Sequence, residues 1–108
     1  MHDLCLFCKS YHRDFLRLRR LLESIQTFNK DGIPVFISTP ADDFELLASV
    51  IGTGFDYQWV SDEEIIKSNN MACAEVVATT QPYVAQGIIK AEFWRLGHAE
   101  NYLCIDSD

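Results

Sequence analysis

The chain has 108 residues, 48% of them hydrophobic and 23% charged, with 9 Lys+Arg against 16 Asp+Glu for a formal net charge of −7. That length closes one hydrophobic core, so residues 1–108 are expected to form a single domain, and the even spread of Leu, Ile, Val and Phe excludes a disordered chain. No apolar run approaches the roughly 20 residues of a membrane-spanning helix, no cleavable signal pattern opens the chain, and the acid excess disfavours DNA and RNA, so the expectation is a soluble cytoplasmic protein that binds no nucleic acid.

The first predicted element is Asp3 to Cys8, a short continuous apolar run of the kind found in a strand covered on both faces, and it ends at Lys9-Ser10-Tyr11. From about Arg13 to Phe28, the residues Phe15, Leu18, Leu21, Leu22, Ile25 and Phe28 recur at three- and four-residue spacing, which predicts an amphipathic helix. Arg13, Arg17 and Arg20 lie elsewhere around that cylinder and read as a solvated basic stripe. Asn29-Lys30-Asp31-Gly32 breaks the helix, and Ile33 to Ser38 supplies a second apolar, β-branched strand. Thr39-Pro40-Ala41-Asp42 then predicts a helix start, with Thr39 as the hydroxyl cap, proline at the first helical position and an acid in the first turn. This second helix runs to about Val50 or Ile51 and stops at Gly52-Thr53-Gly54.

Asp56 to Val60 is the third predicted strand, and Ser61-Asp62-Glu63-Glu64 matches the S-x-x-E capping box ahead of a short helix. Lys67 to Thr80 has no clean period and is expected to form a long loop with a partial helix. Pro82 opens a helix in which Val84, Ile88, Ile89, Phe93 and Leu96 can face a sheet, with Gly97 as its stop. Tyr102 to Ile105 is the last strand and runs into Asp106-Ser107-Asp108. Strands separated by helices imply parallel pairing with right-handed crossovers. The expected fold is therefore α/β, a half-Rossmann three-layer sandwich of about four mainly parallel strands with flanking helices.

Four cysteines raise the question of a metal or redox site, since Cys5 and Cys8 form a C-x-x-C and Cys73 and Cys104 are available to join them. Residues three apart in a strand face opposite sides, so the two sulfurs diverge. A redox pair of this type opens a helix rather than lying within a strand. The cysteines read as reduced, small core residues of a cytosolic protein.

The charge is unevenly placed: residues 1–30 hold six basic and three acidic groups, whereas residues 31–108 hold three basic and thirteen acidic ones. A phosphorylated ligand then needs backbone N–H groups or a bridging cation to supply positive charge. In an open parallel sheet, ligands bind beyond the carboxyl ends of the strands, near the point where strand order reverses. That rule collects Lys9, Ser10 and Tyr11, then Thr39, Ser61, and finally Asp106 and Asp108. The helix from Pro82 runs back against the strands, so its N-terminal half lies at the same edge, with Tyr83, Gln86 and Lys90 on one stripe. Two carboxylates at i and i+2 leaving a strand suit a hard divalent cation, which makes Asp106 and Asp108 the candidate metal ligands and Mn²⁺ or Mg²⁺ the candidate cofactor. A cation there bridges an acidic chain to a diphosphate and stabilises it as a leaving group.

Plainer readings stand beside these. Gln86 and Lys90 can simply lie in solvent, Ser10 can cap the next helix, and Tyr11 can pack on a neighbour. His2, His12 and His98 show no pairing that marks a catalytic group. The absence of G-x-x-x-x-G-K-[ST], of G-x-G-x-x-G after the first strand and of G-x-S-x-G argues against a phosphate-loop NTPase, a dinucleotide site and a nucleophile elbow.

A strand ending in Lys9-Ser10-Tyr11, an Arg-rich helix beginning Arg13-Asp14-Phe15, a strand followed by Thr39-Pro40, then Gln86-x-x-x-Lys90 and Tyr102-Leu103-Cys104-Ile105-Asp106-Ser107-Asp108 together form a familiar combination. It resembles the N-terminal, donor-binding half of GT-A type glycosyltransferases, and more narrowly a poorly characterised bacterial family related to them. The resemblance covers nearly the whole chain and is weakest over residues 62–80. It implies a nucleotide-diphosphate-sugar donor, with Asp106 and Asp108 looking like the metal-and-ribose D-x-D, Lys9, Ser10 and Tyr11 near the nucleotide, Lys90 near the phosphates, and Thr39 and Gln86 in the same site. It also implies a missing acceptor-binding half, so the chain is expected to be a truncated piece that binds nucleotide weakly and does not turn over. The competing expectation is a non-catalytic α/β module that engages a partner, or a second copy of itself, through an exposed sheet edge. A flavodoxin-like cofactor binder is the third.

Overall fold

The computed structural model describes residues 2–67 and 82–107. In chain order the elements are β1 (His2–Lys9), a 3-10 turn (His12–Asp14) leading into α1 (Phe15–Phe28), β2 (Val35–Thr39), and a second 3-10 turn (Ala41–Asp43) leading into α2 (Phe44–Ile51). They continue with β3 (Gln58–Ser61), α3 (Asp62–Lys67), α4 (Pro82–Glu92), a 3-10 turn (Phe93–Leu96) and β4 (Ala99–Asp106). The four strands form one sheet in the order β3-β2-β1-β4, and every pairing is parallel. The chain steps outward from β1 to β2 to β3, then returns to the far side of β1. Strand order thus reverses between β1 and β4.

Both faces of the sheet are covered over the inner strands, which is why these read as continuous apolar runs rather than as alternating ones, whereas most of β4 is exposed. One face packs Cys5, Phe7, Phe36 and Val60 against Ile65, Ile89 and Phe93 from the α3 and α4 side. The other packs Cys8, Val35 and Ile37 against Phe15, Leu18 and Leu22 of α1 and Leu47 and Ile51 of α2. The result is the expected three-layer α/β sandwich. Phe93 centres the first core, stacked on Phe7 at 4.1 Å and meeting Tyr102 edge-on at 5.1 Å. Cys5 and Cys8 fall in different cores, as the strand spacing requires, and both are free thiols. Among the described residues no helix is long and apolar enough to cross a membrane.

Several boundaries differ from the sequence reading. β2 starts at Val35 rather than Ile33, because the Asn29 side chain brackets Ile33 by accepting its N–H at 3.1 Å and donating to its carbonyl at 2.8 Å. β4 begins three residues earlier than expected, because it pairs with β1 from His2↔Ala99 to Lys9↔Asp106. Thr39 does not cap a helix. It is the fully buried last residue of β2, its hydroxyl donating to the Pro40 carbonyl and accepting the Trp59 indole N–H, each at 2.9 Å. The helix after it starts through a 3-10 turn instead. The Ser61 cap is present, with Ser61 Oγ accepting the Glu64 N–H at 3.1 Å. Gly97 ends the segment after α4 in the left-handed conformation, at φ +71°, where an L side chain is strained. The loop expected up to Thr80 lies outside the described residues beyond Lys67, as do the side-chain positions expected for Tyr83 and Val84.

Candidate functional site

The carboxyl edge of the sheet gathers its polar residues around β1. Lys9 is in register with Ser38 of β2 and with Asp106 of β4, so the three side chains leave the same face. The Lys9 side chain is only 4% exposed, and its Nζ lies 3.0 Å from Asp62 Oδ2, on a carboxylate itself 9% exposed. The same ammonium donates to the Ser10 carbonyl at 2.6 Å, while Ser38 Oγ donates to Asp62 Oδ1 at 2.5 Å. A charged pair this far from water survives only when its remaining donors and acceptors are also satisfied. Burial pushes the Asp62 carboxyl above its ordinary value, with Lys9 and Ser38 opposing the shift.

A cavity of about 650 Å³ opens directly above this pair. Lys9 and Asp62 contribute to its lining, Ile66 and Ile89 supply apolar wall, and Tyr11, Gln86, Asp42, Asp43 and Glu63 supply polar groups. The loops around it are stitched together: the His12 N–H donates to Asp43 Oδ2 at 3.2 Å and the Ala41 N–H to Glu63 Oε2 at 2.9 Å. Four carboxylates against Lys9 and Arg13 make the lining rich in acceptors, which suits a ligand bearing several hydroxyl or N–H donors.

Across β1, at the reversal point, Lys90 Nζ reaches Asp106 Oδ1 at 2.8 Å. Tyr102 steadies that helix by donating its hydroxyl to the Lys90 carbonyl at 2.5 Å. The Asp106 hydrogen bond holds the Lys90 ammonium above its ordinary pKa. Ser10 and Ser107, both buried, meet hydroxyl to hydroxyl at 3.2 Å and close the seam between β1 and β4. Burial, with Asp106 adding to it, pushes the neighbouring Cys8 thiol up to about 12.

The sequence profile of a family of unknown function, DUF6492, matches residues 3–108. The chain belongs to the DUF6492 family. No curated protein and no solved structure matches it. Membership carries no activity with it, so the chemistry of this DUF6492 chain has to be argued from its own side chains.

Of the residues singled out from sequence, Lys9, Tyr11 and Gln86 line the cavity of the DUF6492 chain, and Lys90 and Asp106 pair beside it. Ser10 is turned into the seam against Ser107, and Thr39 is shut into the sheet with its hydroxyl engaged on both sides. Asp108 lies outside the described residues. Among the described residues no group of three His, Cys, Asp or Glu converges to hold a metal, although the carboxylate of Asp106, 66% exposed, has the oxygen donors that a hard cation takes. Asp62 and Ser38 were missed. Asp62 sat inside a capping pattern that already explained an acid there, and Ser38 looked like the fading end of an apolar strand. The available signal was two successive polar residues, Ser38 and Thr39, finishing a strand whose other residues are all apolar.

Proposed function

We propose that this DUF6492 protein is the donor-binding part of a metal-dependent glycosyltransferase, which takes a nucleotide-diphosphate sugar with Mn²⁺ or Mg²⁺ and passes the sugar to an acceptor nucleophile. The observation that carries the reading is the register pairing of Lys9 with Asp106 where strand order reverses, beside the 650 Å³ cavity. In this reading the nucleoside occupies the cavity, with the Tyr11 ring available to its base and the carboxylates of Asp42, Asp43 and Glu63 accepting from hydroxyl or N–H groups. The diphosphate lies toward the β1/β4 seam, where Lys9 and Lys90 are the nearest cations. Asp106 and Asp108 are the residues that would hold the divalent ion. When bound, that ion offsets the diphosphate charge and makes it a better leaving group. Lys90 Nζ, 2.8 Å from Asp106 Oδ1, would be able to turn toward phosphate if that carboxylate took the cation.

The test is an NMR titration of the isotope-labelled chain with UDP and with GDP, each in the presence of Mg²⁺ and then Mn²⁺. The expected result is shifts at Lys9, Tyr11 and Gln86 with Mg²⁺, Mn²⁺ broadening centred on Asp106, and loss of the metal-dependent part in Asp106→Asn. Unchanged spectra at millimolar nucleotide, or identical titrations in Asp106→Asn, overturn the reading.

A second reading has its own observation. Among the described residues β4 pairs only with β1, which leaves its outer edge, as far as those residues go, available to strand addition by a partner or a second copy. Concentration-dependent shifts confined to 99–106, with none at the cavity, would favour that module over the enzyme.

A further inference from the structure

We propose that Asp62, itself fixed by Ser38, is a positioning residue that aims the Lys9 ammonium at the anionic part of the ligand. The inference rests on the donor-binding reading and extends it to two residues that sequence reasoning passed over.

Lysine is a point charge on a flexible four-carbon stem, and an unrestrained one at a strand end samples many positions. Here the Lys9 stem is buried and its head is fixed from two directions, by Asp62 Oδ2 at 3.0 Å and the Ser10 carbonyl at 2.6 Å. An ammonium has three donors, so among the described residues one N–H is left after these two bonds. Asp62 is fixed in turn, since its other oxygen accepts from Ser38, a side chain with no exposure. Both Lys9 and Asp62 contribute to the cavity lining, and Lys9 stands one strand spacing from Asp106 on the same face. The remaining N–H thus belongs to a group on the border between the cavity and the seam.

Two physical arguments point to direction rather than attraction. Asp62 offsets the charge of Lys9, and Asp42, Asp43 and Glu63 line the same cavity, so long-range pull on an anion is weak. A buried ion pair is also a poor device for stability, because apolar residues of similar volume commonly stabilise a fold as well or better. What the pair does supply is a donor whose place is set before the ligand arrives, which saves the ordering cost of binding.

These views give opposite signs for one substitution. If Lys9 acts by charge alone, Asp62→Asn exposes its full positive charge and tightens anion binding. If Asp62 acts by positioning, Asp62→Asn weakens it by about tenfold or more, the scale of losing a well-made hydrogen bond to a charged group. Calorimetric titration of UDP with Mg²⁺, and of inorganic pyrophosphate without metal, would be run at a temperature where circular dichroism shows each variant folded. The variants are Asp62→Asn, Ser38→Ala, and the apolar triple Lys9→Met/Ser38→Ala/Asp62→Leu, which replaces the pair by apolar side chains of similar volume. Weaker binding in Asp62→Asn and in the triple, with a smaller loss in Ser38→Ala, supports the proposal. Unchanged or tighter binding in Asp62→Asn overturns it, as does wild-type affinity in the triple. If the wild type binds pyrophosphate but not UDP and the variants lose it, the positioning role stands while the nucleotide reading fails. UDP bound equally by all variants does the reverse, and a wild type that binds neither ligand ends both.

Discussion

Breaking the Lys9–Asp62 pair from one side should cost far more stability than removing it whole. At the observed 3.0 Å separation and an effective dielectric of about 20, the attraction between the two charges is about 5–6 kcal/mol. Asp62→Asn forfeits that attraction and leaves a buried ammonium uncompensated, so the expected loss is about 3–5 kcal/mol. Against a total of about 5–15 kcal/mol for a small domain, such a loss brings the chain close to unfolding. Removing both charges without touching Ser38 would leave its buried hydroxyl short of an acceptor, at about 1–3 kcal/mol. The triple Lys9→Met/Ser38→Ala/Asp62→Leu removes all three demands together and should return to within about 1 kcal/mol of the wild type, or exceed it. Urea unfolding followed by the fluorescence of Trp59 and Trp94 measures all of these on one footing. The reasoning fails if Asp62→Asn lies within about 1 kcal/mol of the wild type, or if the triple is no more stable than the single variant.

Three further outcomes follow from the geometry. Phe93→Ala empties the stack against Phe7, Phe36 and Tyr102 and should cost about 3–5 kcal/mol in the same unfolding assay. Among the described cysteines, iodoacetamide at pH 8 should label Cys104, which is exposed although partial burial also raises its thiol pKa, and leave Cys5 and Cys8 untouched until the chain is unfolded, as peptide mass mapping would show. The Cys8 thiol, pushed up to about 12, lacks the thiolate that the reaction requires. The Lys90–Asp106 bond raises the Lys90 pKa in the folded chain, so its stabilisation is complete below the unfolded value of about 10.4 and disappears as pH rises through the higher folded value. Asp106→Asn should therefore be less stable than the wild type at pH 9 by about 0.2–1 kcal/mol, with the gap closing at more alkaline pH, and a constant gap would refute the assignment.

Much of the architecture was written in local pattern. The continuous apolar run over Asp3 to Cys8, the three- and four-residue spacing from Phe15 to Phe28 and the stop at Gly97 depend only on how neighbouring residues sit along one strand or helix. From them the alternation of strands and helices and the parallel pairing could be read, and with these the residues that stand at the carboxyl edge. Lys9 and Tyr11 were placed there by the strand-end rule, and Gln86 by the direction in which the helix from Pro82 runs back against the strands.

The arrangement within the site was a different matter. Thr39 and Asp62 both sit where a helix begins after a strand, and local pattern made Thr39 a cap and left Asp62 as an interior position of the Ser61–Glu64 capping box. The tertiary structure turns Thr39 into the sheet and brings Asp62 beneath the cavity onto Lys9, because β2 lies between β1 and β3 and all three end at one level. Whether a polar side chain meets solvent, a ligand or an opposite charge is set by the strand order and register that surround it. Those are fixed by packing across the whole sheet, so the pairing of Lys9 with Asp62 became visible only once the four strands were in place.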